Sequence, residues 1–126
     1  MPVLVFDSGA LIALERNDRY AADLLDTATE GGIEAVTSSA CVAQVWRDPA
    51  RQARLTHVLT GFREQPLDAQ RARRCGLLLA RSGTDDIVDA AVALLAEDGD
   101  TVLTSDPDDI ARLLAVAETN ARVRRV

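Results

Sequence analysis

Residues 2–14 read PVLVFDSGALIAL: an apolar run, an aspartate, two small residues and a second apolar stretch. PVLVF (2–6) has the unbroken, partly β-branched hydrophobicity expected of a strand buried on both faces of a parallel sheet. Ser8 stands where it can cap a helix running to about Glu15. A strand that ends on an acidic residue and turns directly into a helix is an α/β unit, and the remaining chain continues the alternation. A second amphipathic helix fits 18–30 and closes at Gly31-Gly32. Ile33 to Val36 reads as strand. Ser38 or Ser39 caps a helix that begins near Ala40, breaks at Asp48-Pro49 and resumes to about Leu59. A further helix spans Asp68 to Arg81 and stops at Ser82-Gly83. Thr84 then caps a strongly apolar helix from Asp85 to Glu97. TVLT (101–104) is a strand, Pro107 occupies the first position of the next helix, and a last strand falls near 122–125.

Strands alternating with helices imply parallel strands joined by right-handed crossovers between helical layers. The expected fold class is therefore α/β: a three-layer α/β/α sandwich with a central, mostly parallel sheet of four to five strands. At 126 residues the chain is read as one domain over 1–126, with no repeat, low-complexity segment or linker. Hydrophobic residues make up 48% and charged residues 27%, ordinary soluble composition with no membrane span. The apolar start is interrupted by Asp7 and preceded by no basic residue, so it lacks the pattern of a secretory signal, and a cytoplasmic location is expected. Cys41 and Cys75 are isolated and are read as two buried free thiols. The net charge of −6 argues mildly against a nucleic-acid partner. Two features soften that argument. All fourteen basic residues are arginine, with clusters at Arg71, Arg73, Arg74 and at Arg122, Arg124, Arg125, and a carboxylate-walled metal site is acidic by necessity.

Functional groups of open parallel sheets gather at the carboxyl ends of the strands. Asp7 directly follows the first strand, and Asp106 follows TVLT by two residues. Asp86 and Asp89, three positions apart, share one face of a helix. Four carboxylates thus point toward one place, as a hard cation such as Mg²⁺ or Mn²⁺ requires. Plainer readings stand beside this one. Asp106 before Pro107 has the form of an N-cap, Asp86 sits in a first turn that the helix dipole favours, and Asp7 can be a strand-end turn residue. Asp85, Asp108 and Asp109 look like dipole residues too, with Asp109 a candidate for an outer position around the metal. Asp89 is harder to dismiss. It lies between IV and AAVALL with no basic residue within a turn, and a carboxylate in such surroundings needs a cation or an arginine from elsewhere in the chain.

Three segments resemble the PIN-domain family, in particular the toxins of VapBC-type toxin–antitoxin pairs. DSGALIAL (7–14) is similar to the family's strand-end aspartate followed by an apolar helix. DIVDAAVALLA (86–96) is similar to its central D-x-x-x-A-A pattern, and TVLTSDPDDI (101–110) to its closing strand with T-x-D. In order and spacing the likeness covers nearly the whole chain. It implies that Asp7, Asp86 and Asp106 are catalytic metal-site carboxylates with Asp89 auxiliary, and that Ser8 and Thr104 orient ligands or water through their hydroxyls. It further implies Mg²⁺- or Mn²⁺-dependent hydrolysis of RNA, a cognate antitoxin protein and self-association as a homodimer. One departure stands out: in SSACVAQVW (38–46), Gln44 holds the place where the family usually has a glutamate. A neutral amide offers an oxygen without a charge, so a catalytically weak or inactive PIN-fold protein that binds a partner is the alternative.

Other acidic Mg²⁺ folds fare worse. A receiver-type domain needs a late lysine, and the chain has none. A haloacid-dehalogenase-like phosphatase needs a second aspartate where Gly9 stands. His57, mid-helix, is expected in a surface or helix-packing role rather than in catalysis. Arg47, Arg51 and Arg54, read as neighbours on the third helix, are candidates for holding RNA or simply a solvated face. Leu11, Ile12, Leu14, Leu24 and Leu25 are either core or the walls of a groove for a partner helix.

Overall fold

The computed structural model describes all residues, 1–126. Five strands, β1 (Val3–Phe6), β2 (Glu34–Ser38), β3 (Phe62–Gln65), β4 (Thr101–Thr104) and β5 (Arg122–Arg125), form one sheet in the order β3-β2-β1-β4-β5, every pair parallel. Seven helices connect them: α1 (Ser8–Glu15), α2 (Arg19–Glu30), α3 (Ser39–Val45), α4 (Ala53–Leu59), α5 (Ala69–Ser82), α6 (Ile87–Leu95) and α7 (Pro107–Val116). Pro49–Arg51 forms a single 3₁₀ turn at the predicted break between α3 and α4. Right-handed crossovers put the helices before β3 on one face of the sheet and α5, α6 and α7 on the other, which gives the expected three layers. No helix is long and apolar enough to cross a membrane.

The central strands carry the core. Val5, Phe6, Val102 and Leu103 are fully buried, each contributing about 1.5–3 kcal/mol by leaving water. The outer strands are different. β5 is RVRR and mostly exposed, whereas β3 is FREQ, a strand that sequence pattern did not predict. Its one large apolar side chain, Phe62, holds it to the core by an edge-to-face contact with Phe6, ring centroids 4.9 Å apart at 76°.

Several local expectations are corrected. Asp7, not Ser8, caps α1, its carboxylate accepting from the Ala10 N–H. Asp86, not Thr84, caps α6, which is also shorter than the 85–97 expected; Thr84 bonds to Ser82 instead. Arg47, Arg51 and Arg54 do not share a helix but fall in the loop after α3, the 3₁₀ turn and α4. Leu11 and Leu14 are core residues and wall no groove, while Ile12, Leu24 and Leu25 are half-buried. Cys41 and Cys75 are buried free thiols, as expected.

The topology also fixes where a site can lie. From β1 the chain runs outward to β2 and β3, then returns to β4 on the other flank of β1. The strand order reverses between β1 and β4, and the crevice outside the carboxyl ends of such a pair is where open α/β sheets bind ligands. Asp7 and Asp106 follow those two strands.

Candidate metal centre

Asp7 is buried and fully engaged. One carboxylate oxygen accepts from Ala10 N (2.8 Å); the other accepts from the Thr104 hydroxyl (2.5 Å) and from Ser105 N (3.2 Å). Burial raises its pKa, opposed by these three donors and assisted by the nearby charge of Asp106. Thr104, also buried, receives the Asp106 N–H on the same hydroxyl oxygen at 2.8 Å. The Asp7 carboxylate, the Thr104 hydroxyl and the backbone of Asp106 thus form one rigid link across the ends of β1 and β4.

Asp106 stands at the N-cap position of α7, yet its side chain makes no capping bond. The plainer reading of this residue fails: its carboxylate is exposed and turned elsewhere. Asp109, one turn further along α7 and exposed, lies on the same face. Opposite them is Asp89, in the first turn of α6 and only 7% exposed. Carboxylate oxygens of Asp89, Asp106 and Asp109 all lie within 4.8 Å of one another.

No cation of the protein answers this crowding. The two ion pairs of the molecule, Arg51–Asp48 and Arg63–Glu34, lie elsewhere, so the alternative of an arginine pairing with Asp89 is set aside. Burial, then the like charges of Asp86, Asp106, Asp7 and Asp109, push Asp89 up to about 7. Asp100 shows what a structural buried aspartate looks like in the same fold. Its two carboxylate oxygens accept from Val3 N and Glu97 N, both at 2.8 Å. Asp89 has no comparable donor. Three hard oxygen donors from two helices, unneutralised and converging, match what a divalent cation such as Mg²⁺ or Mn²⁺ takes.

The remaining predicted residues lie outside this trio. Asp86 is exposed; it accepts from the Asp89 N–H at 3.0 Å and so fixes the first turn that presents Asp89. Ser8 donates to the Gln44 side-chain oxygen at 2.5 Å, joining α1 to α3 beside Asp7. Cys41 lies beneath, its thiol pKa raised by burial, against the opposing pull of the nearby polar groups of Ser8, Thr37 and Ser38. His57 is exposed on α4. Of the four carboxylates predicted to converge, Asp89 and Asp106 belong to the tight trio, and Asp7 and Asp86 act on it through charge and backbone. Asp109 is the member that sequence reading placed only at the periphery. Its spacing of three from Asp106 on one helix was the available signal.

No protein-family model matches the sequence, and neither does any curated protein. Solved structures do. A chain from the structure of VapBC2 of Rickettsia felis bound to a DNA fragment from their promoter superposes with a TM-score of 0.71 at 12% identity, over 98% of both chains. A chain of DNA-bound VapBC from Salmonella typhimurium superposes with a TM-score of 0.66 at 16% identity, over 99% of this chain and 98% of that one. At such identities the likeness establishes the fold, the PIN-like α/β sandwich that the three motifs implied.

Proposed function

We propose that this chain, which shares its fold with chains of VapBC complexes, is a single PIN-like domain acting as a Mg²⁺- or Mn²⁺-dependent ribonuclease, the toxin of a bacterial toxin–antitoxin pair. One observation carries the reading: the carboxylates of Asp89, Asp106 and Asp109 within 4.8 Å of one another, without a basic partner. These three residues would hold the ion. When bound, a divalent cation supplies Lewis acidity, lowering the pKa of a water and offsetting charge on phosphoryl oxygens. The protein's own groups do the positioning. Asp7, through Thr104, fixes the turn that carries Asp106, and Asp86 fixes the turn that carries Asp89. Ser8 and Gln44, joined to each other next to Asp7, would orient water or a phosphate oxygen.

Cleavage of RNA by the purified protein with Mg²⁺ or Mn²⁺, compared with an Asp106→Asn variant, tests the proposal. Changing groups around a metal's ligands commonly costs 10–100-fold, so loss of a direct ligand should lower the rate by at least about 100-fold. Equal activity in both proteins would mean a contaminant or another site.

A second reading is favoured by Gln44. Its amide oxygen already accepts from Ser8 and brings no charge, which suits a weakly active or inert domain whose work is binding a partner. No cleavage by the wild-type protein over a range of Mn²⁺ would support it. In either case an antitoxin protein is the proposed partner, a homodimer the proposed assembly and the cytoplasm the proposed location. Light scattering on the purified chain that finds only monomer removes the dimer.

A further inference from the structure

The edge strand β5 is an anomaly in an acidic protein. Four residues, RVRR, concentrate Arg122, Arg124 and Arg125 on the free edge of the sheet, all exposed, in a chain of net charge −6. The molecule's two ion pairs involve none of them. The register shows where the row leads. Arg125 lies beside Thr104, the residue whose hydroxyl joins Asp7 to the backbone of Asp106, and Val126 N donates to Thr104 O at 3.0 Å. Neighbouring strands are about 5 Å apart, so the basic edge runs alongside β4 up to the acidic end of the sheet.

There a groove of about 510 Å³ opens, lined by Gly9, Ile12 and Arg16 on one side and by Ser105 and Val126 on the other. Its acidic lining residue, Asp18, is turned to the capping of α2 by a bond to Ala21 N. Ser105 is the residue between Thr104 and Asp106, so the groove and the carboxylate trio lie on two sides of one turn. The N–H groups of Arg122 and Val126 donate to the Asp100 and Thr104 carbonyl oxygens, so alternate N–H groups of this strand face β4. The N–H groups of Val123 and Arg125 therefore face outward and add donors to the same edge.

We infer that the edge formed by Arg122, Arg124 and Arg125 binds the phosphate backbone of single-stranded RNA and guides it through the groove at Val126 and Ser105 to the carboxylates. A peptide strand adding to this edge would find no row of apolar pockets for its alternate side chains, the usual source of specificity in such pairing. A polyanion running along this edge meets Arg122 and Arg124 from one face of the sheet and Arg125 from the other, spread over about 10 Å of strand, enough for two or three phosphates. This rests on the ribonuclease reading for its substrate, yet the binding it asserts needs neither metal nor cleavage.

The test uses that independence. A fluorescent single-stranded RNA of mixed sequence is titrated in EDTA at several salt concentrations with the wild-type chain and with the Arg122→Gln/Arg124→Gln/Arg125→Gln variant. Each lost phosphate contact lowers the slope of log affinity against log salt by about 0.7, so the variant should lose about 1.5–2 in slope and at least about tenfold in affinity at low salt. The Arg47→Gln/Arg51→Gln/Arg54→Gln variant should keep the wild-type slope. Arg125→Gln alone, expected to lose about 0.7, serves if the triple variant does not fold. Equal slopes in wild type and the β5 variants overturn the inference. So does a loss confined to the Arg47 set, tighter binding of duplex DNA than of RNA, or no RNA binding by the wild type. Failure of cleavage with RNA binding intact would instead count against the ribonuclease reading alone.

Discussion

Asp89 decides the reading because it is the one buried acid that the protein does not satisfy. Asp7 is as buried but has three donors, and Asp100 has two backbone N–H groups. For Asp89 the ordinary value of 3.8 is raised to about 7, so between those limits the folded state keeps a proton that the unfolded chain has lost. Stability from this group is therefore present at the acid end of that window and is lost as pH rises through about 7. In EDTA the melting midpoint should fall between about pH 5 and pH 8, and Mn²⁺ should restore it increasingly as pH rises, since metal and proton compete for the same oxygens. A midpoint in EDTA that climbs over that range contradicts the account. Asp89→Asn removes the charge and should stabilise the metal-free protein at about pH 8, on the order of 1 kcal/mol once the open side of the cluster is allowed for, while abolishing the Mn²⁺ effect. An apolar helix with one acid and no base in reach is visible in sequence, which is why Asp89 was legible. Asp106 was ambiguous for a physical reason: capping and ligation ask for the same residue type at the same position, and only the direction of the side chain separates them.

At the scale of elements, the sequence was clearest where hydrophobicity is continuous and least clear at the edges. β1 and β4 announce themselves because both faces are covered. β3 does not, since FREQ offers a single aromatic anchor and three polar residues to a strand whose outer edge is solvated. The caps of α1 and α6 were assigned to the neighbouring hydroxyl residues because Ser, Thr and Asp compete for N-cap positions and sequence alone does not fix which one the chain turns on. In the sequence Gly9 signals only the lack of a second aspartate after Asp7; its structural role is tertiary. A Cβ placed there would lie 2.2 Å from Ser105 Oγ and 2.5 Å from Ser105 Cβ. Rotation of the hydroxyl relieves the first contact but not the second, so α1 would be pushed off the turn that carries Asp106. Gly9→Ala should destabilise by about 1–3 kcal/mol in urea denaturation. Ser105→Gly, by removing both atoms, should suppress much of that loss in a double-mutant cycle. Additive effects of the two changes would show that the close approach does not matter.

For the molecule as a whole, net charge averages over two unlike surfaces. The value of −6 sums an acidic end, where Asp7, Asp86, Asp89, Asp106 and Asp109 gather, and an arginine-bearing edge on β5, and the two have opposite meanings for a phosphate ligand. The alternation of strands and helices made the three-layer sandwich legible, and the reversal of strand order between β1 and β4 then singles out the end at which the candidate site lies. Long-range placement of Asp109 against Asp89 was not legible, because it depends on how α6 and α7 pack on one face of the sheet. The central claim is that α6 and α7 together build a seat for one divalent ion. A crystal of the wild-type protein grown with Mn²⁺ and measured for anomalous scattering tests it directly. The account predicts a peak about 2.1 Å from oxygens of Asp89, Asp106 and Asp109. A peak seated only on other acids, or none at millimolar Mn²⁺ and neutral pH, would contradict it.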